Sequence, residues 1–314
     1  MVYKDIKKED VENFKKLLEF FKQLSEDGVS SLIEKQLLQL LENSVTFFSN
    51  LVMEEVFPEI HRLTINKRVL GDNKRIRDIK FLKYPPADKI SRYGRCNCPK
   101  QSVLYSSLMG FTTMNEIRPS VGDLVTDSIW KVKQNQPLKY CPIFKNQPED
   151  GTINPWTFEV NQIFNNKLKE YPENIREQID DLVQFVANAF TKRIHPDCHF
   201  DYIFSAFFAN QIFNEFEDGS IEAILYPSVK NHLSFENLAI KPAIFDAKYE
   251  LVEVKDKVCI QDLTDGNRGY GFLGLSDCKS FDYASEKILW DPDICYQPKE
   301  HLKKLKADFN IDLD

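Results

Sequence analysis

The chain has 314 residues, with 41 Lys plus Arg against 48 Asp plus Glu and a formal net charge of −7. An acidic chain without a long basic run is a poor partner for nucleic acid, which is held largely through phosphate neutralisation. Hydrophobic residues make up 42% of the chain, enough for a sizeable core, and the length suits one large domain or a core domain with an appendage.

No apolar run is long enough to cross a bilayer, and the charged opening M-V-Y-K-D-I-K-K-E-D has no signal-peptide core. A soluble, cytoplasmic protein with no membrane contact is expected. Seven cysteines at irregular spacing predict reduced thiols rather than a disulfide framework.

Over residues 9–26, Phe14, Leu17, Leu18, Phe21 and Leu24 recur at helical spacing, and Asp27-Gly28 breaks the pattern. A second helix is predicted with Leu37, Leu41, Val45, Phe48 and Val52 on one face, ending before Pro58. Such a hairpin must bury its stripe against the following domain or against a second subunit, which would make a homodimer. Two strands are predicted within residues 63–83, separated by a turn at Gly71-Asp72-Asn73. The stiff Tyr84-Pro85-Pro86 ends that region.

Residues 92–119 concentrate the chemistry. Gly94 allows a sharp turn before Arg95, whose planar fork suits phosphate or carboxylate. Residues 102–105 read as a short strand ending on Tyr105, and 111–117 as a short helix carrying Glu116 close to Arg118. Spacing alone leaves two alternatives: convergence on one pocket, or a surface arginine, a core tyrosine and a solvated glutamate. Cys96 and Cys98 have no histidine nearby in sequence to activate a thiol nucleophile.

A strand is expected over 124–132 and a long Pro-, Asn- and Gln-rich loop over 134–156. Pro172 opens a helix with Ile175, Ile179, Leu182, Val183, Val186 and Phe190 on one face. His195, Cys198 and His199, with Cys96 and Cys98 as further donors, lack well-spaced ligand pairs, so no metal site is expected. A helix over 201–216 follows, then a strand in which Ile221, Ala223 and Leu225 alternate before Tyr226-Pro227-Ser228. Gly269 to Gly274 spells G-x-G-x-x-G, but no apolar-periodic helix follows, so a glycine-rich hairpin or turn is expected instead of a dinucleotide fingerprint. A short basic amphipathic helix ends the chain.

Four segments in order, Gly94-Arg95-Cys96-Asn97, Val103-Leu104-Tyr105, Glu116-Ile117-Arg118 and Tyr226-Pro227-Ser228 with Asn237 after it, resemble the RES domain family. The likeness covers roughly residues 65–250, with Glu222-Ala223 replacing the family's usual Asp-Gly. It implies an α+β protein with an ADP-ribosyltransferase-like split β core and flanking helices, preceded by a helical hairpin. The corresponding boundaries are residues 1–60, 61–255 and 256–314. The hairpin also resembles helical domains fused to this family, some related to RNA-cutting HEPN proteins, but no arginine precedes Arg62 to complete that motif.

The resemblance further implies an NAD-consuming enzyme, often a toxin paired with an antitoxin, with NAD as substrate and no metal. Glu116 would act on the ribose, Arg95 on the pyrophosphate, Tyr105 on the nicotinamide ring and Ser228 at the nicotinamide end, with Asn97 ordering the loop. Arg68 would be the family's first-strand arginine. The acceptor is water, phosphate or a protein side chain. A RES-like module that binds without catalysis is the alternative of a different class.

Overall fold

The computed structural model describes residues 8–44, 50–195, 197–263 and 269–313. The protein is mixed α+β, and its strands pair mostly antiparallel. Two compact units interleave in sequence. The first comprises Met1–Glu55, Pro86–Val103 and Leu138–Lys241; the second comprises Val56–Pro85, Leu104–Pro137 and Pro242–Asp314.

The elements in chain order are helices α1 (Lys8–Asp27) and α2 (Glu34–Ser44), strands β1 (Met53–Glu55) and β2 (Glu59–Ile65), helix α3 (Asn66–Leu70), strand β3 (Leu104–Ser107) and helix α4 (Gly110–Ile117). Strands β4 (Leu124–Val132) and β5 (Leu138–Pro142) precede helices α5 (Pro155–Leu168), α6 (Glu173–Thr191) and α7 (Ile203–Asn214). Strands β6 (Ala223–Pro227) and β7 (Glu236–Ile240), helix α8 (Pro242–Lys248) and strands β8 (Tyr249–Asp262) and β9 (Tyr270–Cys278) follow. The small strands β10 (Phe281–Asp282) and β11 (Lys287–Ile288) and helix α9 (Lys299–Phe309) complete the chain.

In the first unit the strands run in the order β1-β5-β6-β7, with β5 and β6 parallel and the outer pairs antiparallel. Helix α6 starts after Pro172, whose fixed φ suits a helix entry, and Glu173 favours the positive end of the dipole. Its whole apolar stripe is buried. Helix α1 lays its own stripe inside the same unit: Phe21 lies 6.5 Å from the Phe185 ring and 5.9 Å from that of Phe204. Of the α1 stripe, Leu18 and Phe21 are buried within the unit, and Phe14, Leu17 and Leu24 are partly exposed. Val45 and Phe48 of the predicted second helix lie outside the described residues.

The loop expected over 134–156 is interrupted by β5, whose Leu138, Tyr140 and Cys141 are fully buried between β1 and β6. Four residues between two prolines carry too little pattern to register as a strand locally. Helix α5 begins where that loop was expected to end: Asn154 accepts from the N–H groups of Trp156 and Thr157, and Pro155 sits at its first position.

In the second unit the order is β3-β2-β4-β8-β9, antiparallel throughout. The expected strand over 124–132 is β4. Two expected strands within 63–83 are not formed as such. Strand β2 ends at Ile65 because the buried Asn66 turns its side chain to local work: Nδ2 donates to the Lys74 carbonyl at 2.7 Å and Oδ1 lies 3.0 Å from the Thr126 hydroxyl oxygen. Gly71, at φ 85°, then ends α3. Residues 75–82 bury Ile76, Ile79 and Leu82 at a spacing of three, the period of the 3₁₀ turn found at Ile79–Leu82.

Of the late glycines, Gly271 and Gly274 lie in strand β9, and Gly269 precedes it. Gly271 and Gly274 stand opposite Gln261 and Lys257, at the two places where the β8–β9 register shifts. A Cβ on Gly271 would come within 3.0 Å of the Gln261 Cβ, so these glycines serve bulged strand pairing. Among the described residues no helix is long and apolar enough to cross a membrane.

Arg75 ties this unit together. Its Nε donates to the fully buried Asp256 at 2.8 Å, one terminal nitrogen to Ser276 at 2.6 Å and the other to the Leu313 carbonyl at 3.1 Å, beneath the Trp290 ring at 4.3 Å. Thr126 donates to the other Asp256 oxygen at 2.8 Å. Removing one member of a buried pair leaves an uncompensated charge, so Asp256→Ala is expected to cost about 3–5 kcal/mol, read from urea denaturation midpoints.

Candidate functional site

In the first unit, residues 94–97 form a closed turn. The Gly94 N–H donates to the Asn97 carbonyl at 2.9 Å and the Asn97 N–H to that of Gly94 at 3.4 Å. Gly94 achieves this without a positive φ. The buried Asn97 amide donates to the carbonyls of Arg92 at 3.5 Å and Cys98 at 3.1 Å, so it orders its own loop. Gln101 extends the scaffold, accepting from the Cys98 N–H at 3.0 Å and donating to Asn210 of α7 at 2.6 Å.

Arg95 points at the end of α6. Its guanidinium donates to the Phe190 carbonyl, and to that of Lys192 at 3.3 Å, and lies 5.1 Å from the centre of the Tyr202 ring. The last carbonyls of a helix lack intrahelical partners and carry its negative end, so a cation there satisfies both demands. A guanidinium has five N–H donors, of which these bonds account for two. Burial pushes the Cys96 thiol up, against Arg95 and Tyr226, and Cys98 up to about 11, with Glu34 adding to burial. Neither environment favours a thiolate.

The same neighbourhood contains the end of β6. The Cys96 thiol is hydrogen-bonded with Tyr226. The Tyr226 ring packs edge-on against Phe190 at 5.9 Å, and the Phe190 carbonyl accepts from Arg95. Two motifs that lie 130 positions apart thus meet through Phe190. Ser228 is fully buried, and its hydroxyl accepts from the Asn231 side chain at 2.8 Å and the Asn231 N–H at 3.2 Å. It caps the turn at Val229–Asn231 that leads into β7.

The second unit holds the other two residues. Tyr105 is half-buried on β3, and its carbonyl accepts from Arg62 at 2.8 Å. Helix α4 packs Met114 and Ile117 on Leu63, Ile65 and Val125, leaving Glu116 exposed. Arg118 ends the helix at φ 48°. Arg68 does not lie on the first strand; it belongs to α3 and holds the end of α4, donating to the Ile117 and Arg118 carbonyls at 2.9 and 3.0 Å. Arg95, Asn97 and Ser228 thus belong to one unit, and Tyr105 and Glu116 to the other.

Arg62 was missed from sequence. It stands on β2, opposite Ser128 of β4, and its buried Nε has no hydrogen-bond partner among the described residues. Burial pushes its pKa down to about 10, against the neighbouring Tyr105 phenol, which leaves it charged at neutral pH. A buried cationic donor with spare capacity is expensive unless something anionic or polar meets it. The local pattern H-R-L-T-I-N-K-R offers two arginines, and only strand pairing distinguishes the one on the sheet. Among the described residues, no cluster of three or more His, Cys, Asp and Glu is placed to hold a metal.

Comparison with protein-family models, curated proteins and solved structures finds no match for this chain.

Glu236 lies beside the Ser228 turn. Its carboxylate accepts from Asn154 at 2.8 Å, and Asn154 also donates to the Leu233 carbonyl at 2.8 Å. Burial raises the Glu236 pKa, with Asn154 opposing. A carboxyl raised in the folded state binds its proton more tightly there than in the unfolded chain, so stability falls as pH rises from the unfolded value of about 4.3 through the folded one. Glu236→Gln keeps an oxygen for Asn154 and escapes that loss. Its stability relative to wild type is expected to improve across that window, read by denaturation at a series of pH values.

Proposed function

We propose that this protein is an NAD-degrading enzyme of the RES type, with an ADP-ribosyltransferase-like core, that cleaves the bond between nicotinamide and ribose. The observation that carries the reading is the meeting of the G-R-C-N turn with the Tyr226 end of β6, through Phe190, in the first unit. A chance match of short motifs would not require Arg95 and Tyr226, 131 positions apart, to share a neighbour. In the second unit, the buried Arg62 beside Tyr105 is a cationic fork suited to an anionic oxygen.

In this reading the carbon–nitrogen bond breaks and nicotinamide leaves with its electron pair, giving an oxocarbenium-like ribose. Glu116 stabilises that charge, holds a ribose hydroxyl and takes the proton of the attacking water. Arg95 holds the pyrophosphate, and Tyr105 packs on the nicotinamide ring and keeps water from its face. Asn97 orders the arginine turn. Since the Ser228 hydroxyl caps the β6–β7 turn, its part in substrate binding is to shape that turn. With a protein side chain in place of water the same steps make an ADP-ribosyltransferase. The cytoplasm, with an antitoxin partner, is the setting this chemistry implies.

A binding module without catalysis is the second reading, favoured by the complete burial of Ser228. Nicotinamide release from NAD separates the two. Glu116→Gln is expected to lower the turnover number by roughly a hundredfold or more with little change in melting temperature. An equal rate in Glu116→Gln and wild type, or no release by either, would favour the binding module. Arg95→Ala would also uncap α6, so Arg95→Lys is the cleaner probe. Losing the planar fork while keeping the charge is expected to raise KM for NAD by roughly tenfold, and an unchanged KM would remove Arg95 from the phosphate site.

A further inference from the structure

The segment from Phe190 to Tyr202 bonds to two different parts of the first unit. Toward the 94–97 turn, its carbonyls at Phe190 and Lys192 and the ring of Tyr202 hold the Arg95 guanidinium. Toward the N-terminal hairpin, the Lys192 ammonium donates to the Ser25 carbonyl in the last turn of α1 and pairs with Asp201 at 3.4 Å. The other Asp201 oxygen accepts from the Val29 N–H at 2.8 Å, just past the α1 end. Lys192 therefore serves both sides, with its carbonyl on Arg95 and its ammonium on the hairpin.

That arrangement has a physical consequence. The ends of α1 and α6 each present open carbonyls, and one lysine and one arginine satisfy them. The Lys192–Asp201 pair is partly buried, with side-chain exposures of 24% and 16%, so it is less screened than a surface pair. Because ammonium and carbonyl belong to one residue, holding the ammonium at Ser25 and Asp201 restrains the backbone to which Arg95 is bonded.

We propose that Lys192 and Asp201 are positioning residues that set the orientation of Arg95, so that the N-terminal helical hairpin tunes affinity for an anionic dinucleotide. The proposal rests on the reading of Arg95 as a phosphate-binding group.

The test uses the full chain and Lys192→Met, which keeps the stem and the backbone carbonyl. KM for NAD is expected to rise roughly fivefold. The turnover number should stay within about twofold, because the reacting groups are untouched. Lys192→Arg should restore KM. Amide hydrogen exchange at Gly94 and Asn97, whose N–H groups close the turn, should quicken in Lys192→Met.

A lowered turnover number at unchanged KM would mark a merely structural residue and overturn the proposal. Unchanged exchange at 94–97 would do the same. Should the wild type prove inactive toward NAD, the exchange arm still decides whether the hairpin governs the Arg95 turn, so the two failures remain distinct. If Lys192→Met does not fold, Asp201→Asn, which keeps the oxygen facing Val29, is read in the same way.

Discussion

The bonds from Arg95 to the last carbonyls of α6 are the interaction on which the first unit's site depends. The last carbonyls of a helix need donors from outside it, and here they come from a turn nearly a hundred positions earlier. That demand fixes the turn, and through Phe190 it brings the turn to the end of β6. Arg95 is thus a structural cap, and the same placement gives a preorganised guanidinium with donors beyond the two that the cap uses.

The second unit meets a comparable need with different residues. Asp256 has no exposure to water, and its position is tolerable only because Arg75 and Thr126 meet its two oxygens. Arg75 also reaches Ser276 and the Leu313 carbonyl, so the late part of the chain is stitched to β8 and β9. On that frame β2 carries Arg62, and α4, held at its end by Arg68, carries Glu116. The chemistry proposed for the protein asks for a carboxylate, cations and an aromatic ring on rigid elements, and these are the supports the fold supplies.

Elements with a strong period were legible in advance. The α6 stripe, the α1 stripe and the strand β4 all formed at or near their expected bounds. The misreadings fall where local pattern and tertiary demand part. Residues 75–82 look alternating, yet Ile76, Ile79 and Leu82 are buried at a period of three. Strand β5 is too short to be seen without its neighbours β1 and β6. By contrast, the late glycines, expected in a hairpin or turn, do fall in the antiparallel β8–β9 pair, at its register shifts.

By itself the sequence determined the mixed α+β character, the long helices and the order of the chemically distinctive segments, because hydrophobic period and residue type are local properties. It also named Arg95, Tyr105, Glu116 and Ser228. Tertiary structure alone decided what each of them touches. Arg95 could have faced solvent, but the open end of α6 claimed it. Ser228 could have faced a ligand, but Asn231 claimed its hydroxyl. Arg62 could not be told from Arg68 until β2 paired with β4. The reason is the same in each case: a hydrogen-bonding group is assigned by the unsatisfied partners that folding brings to it, and those partners lie far away in the chain.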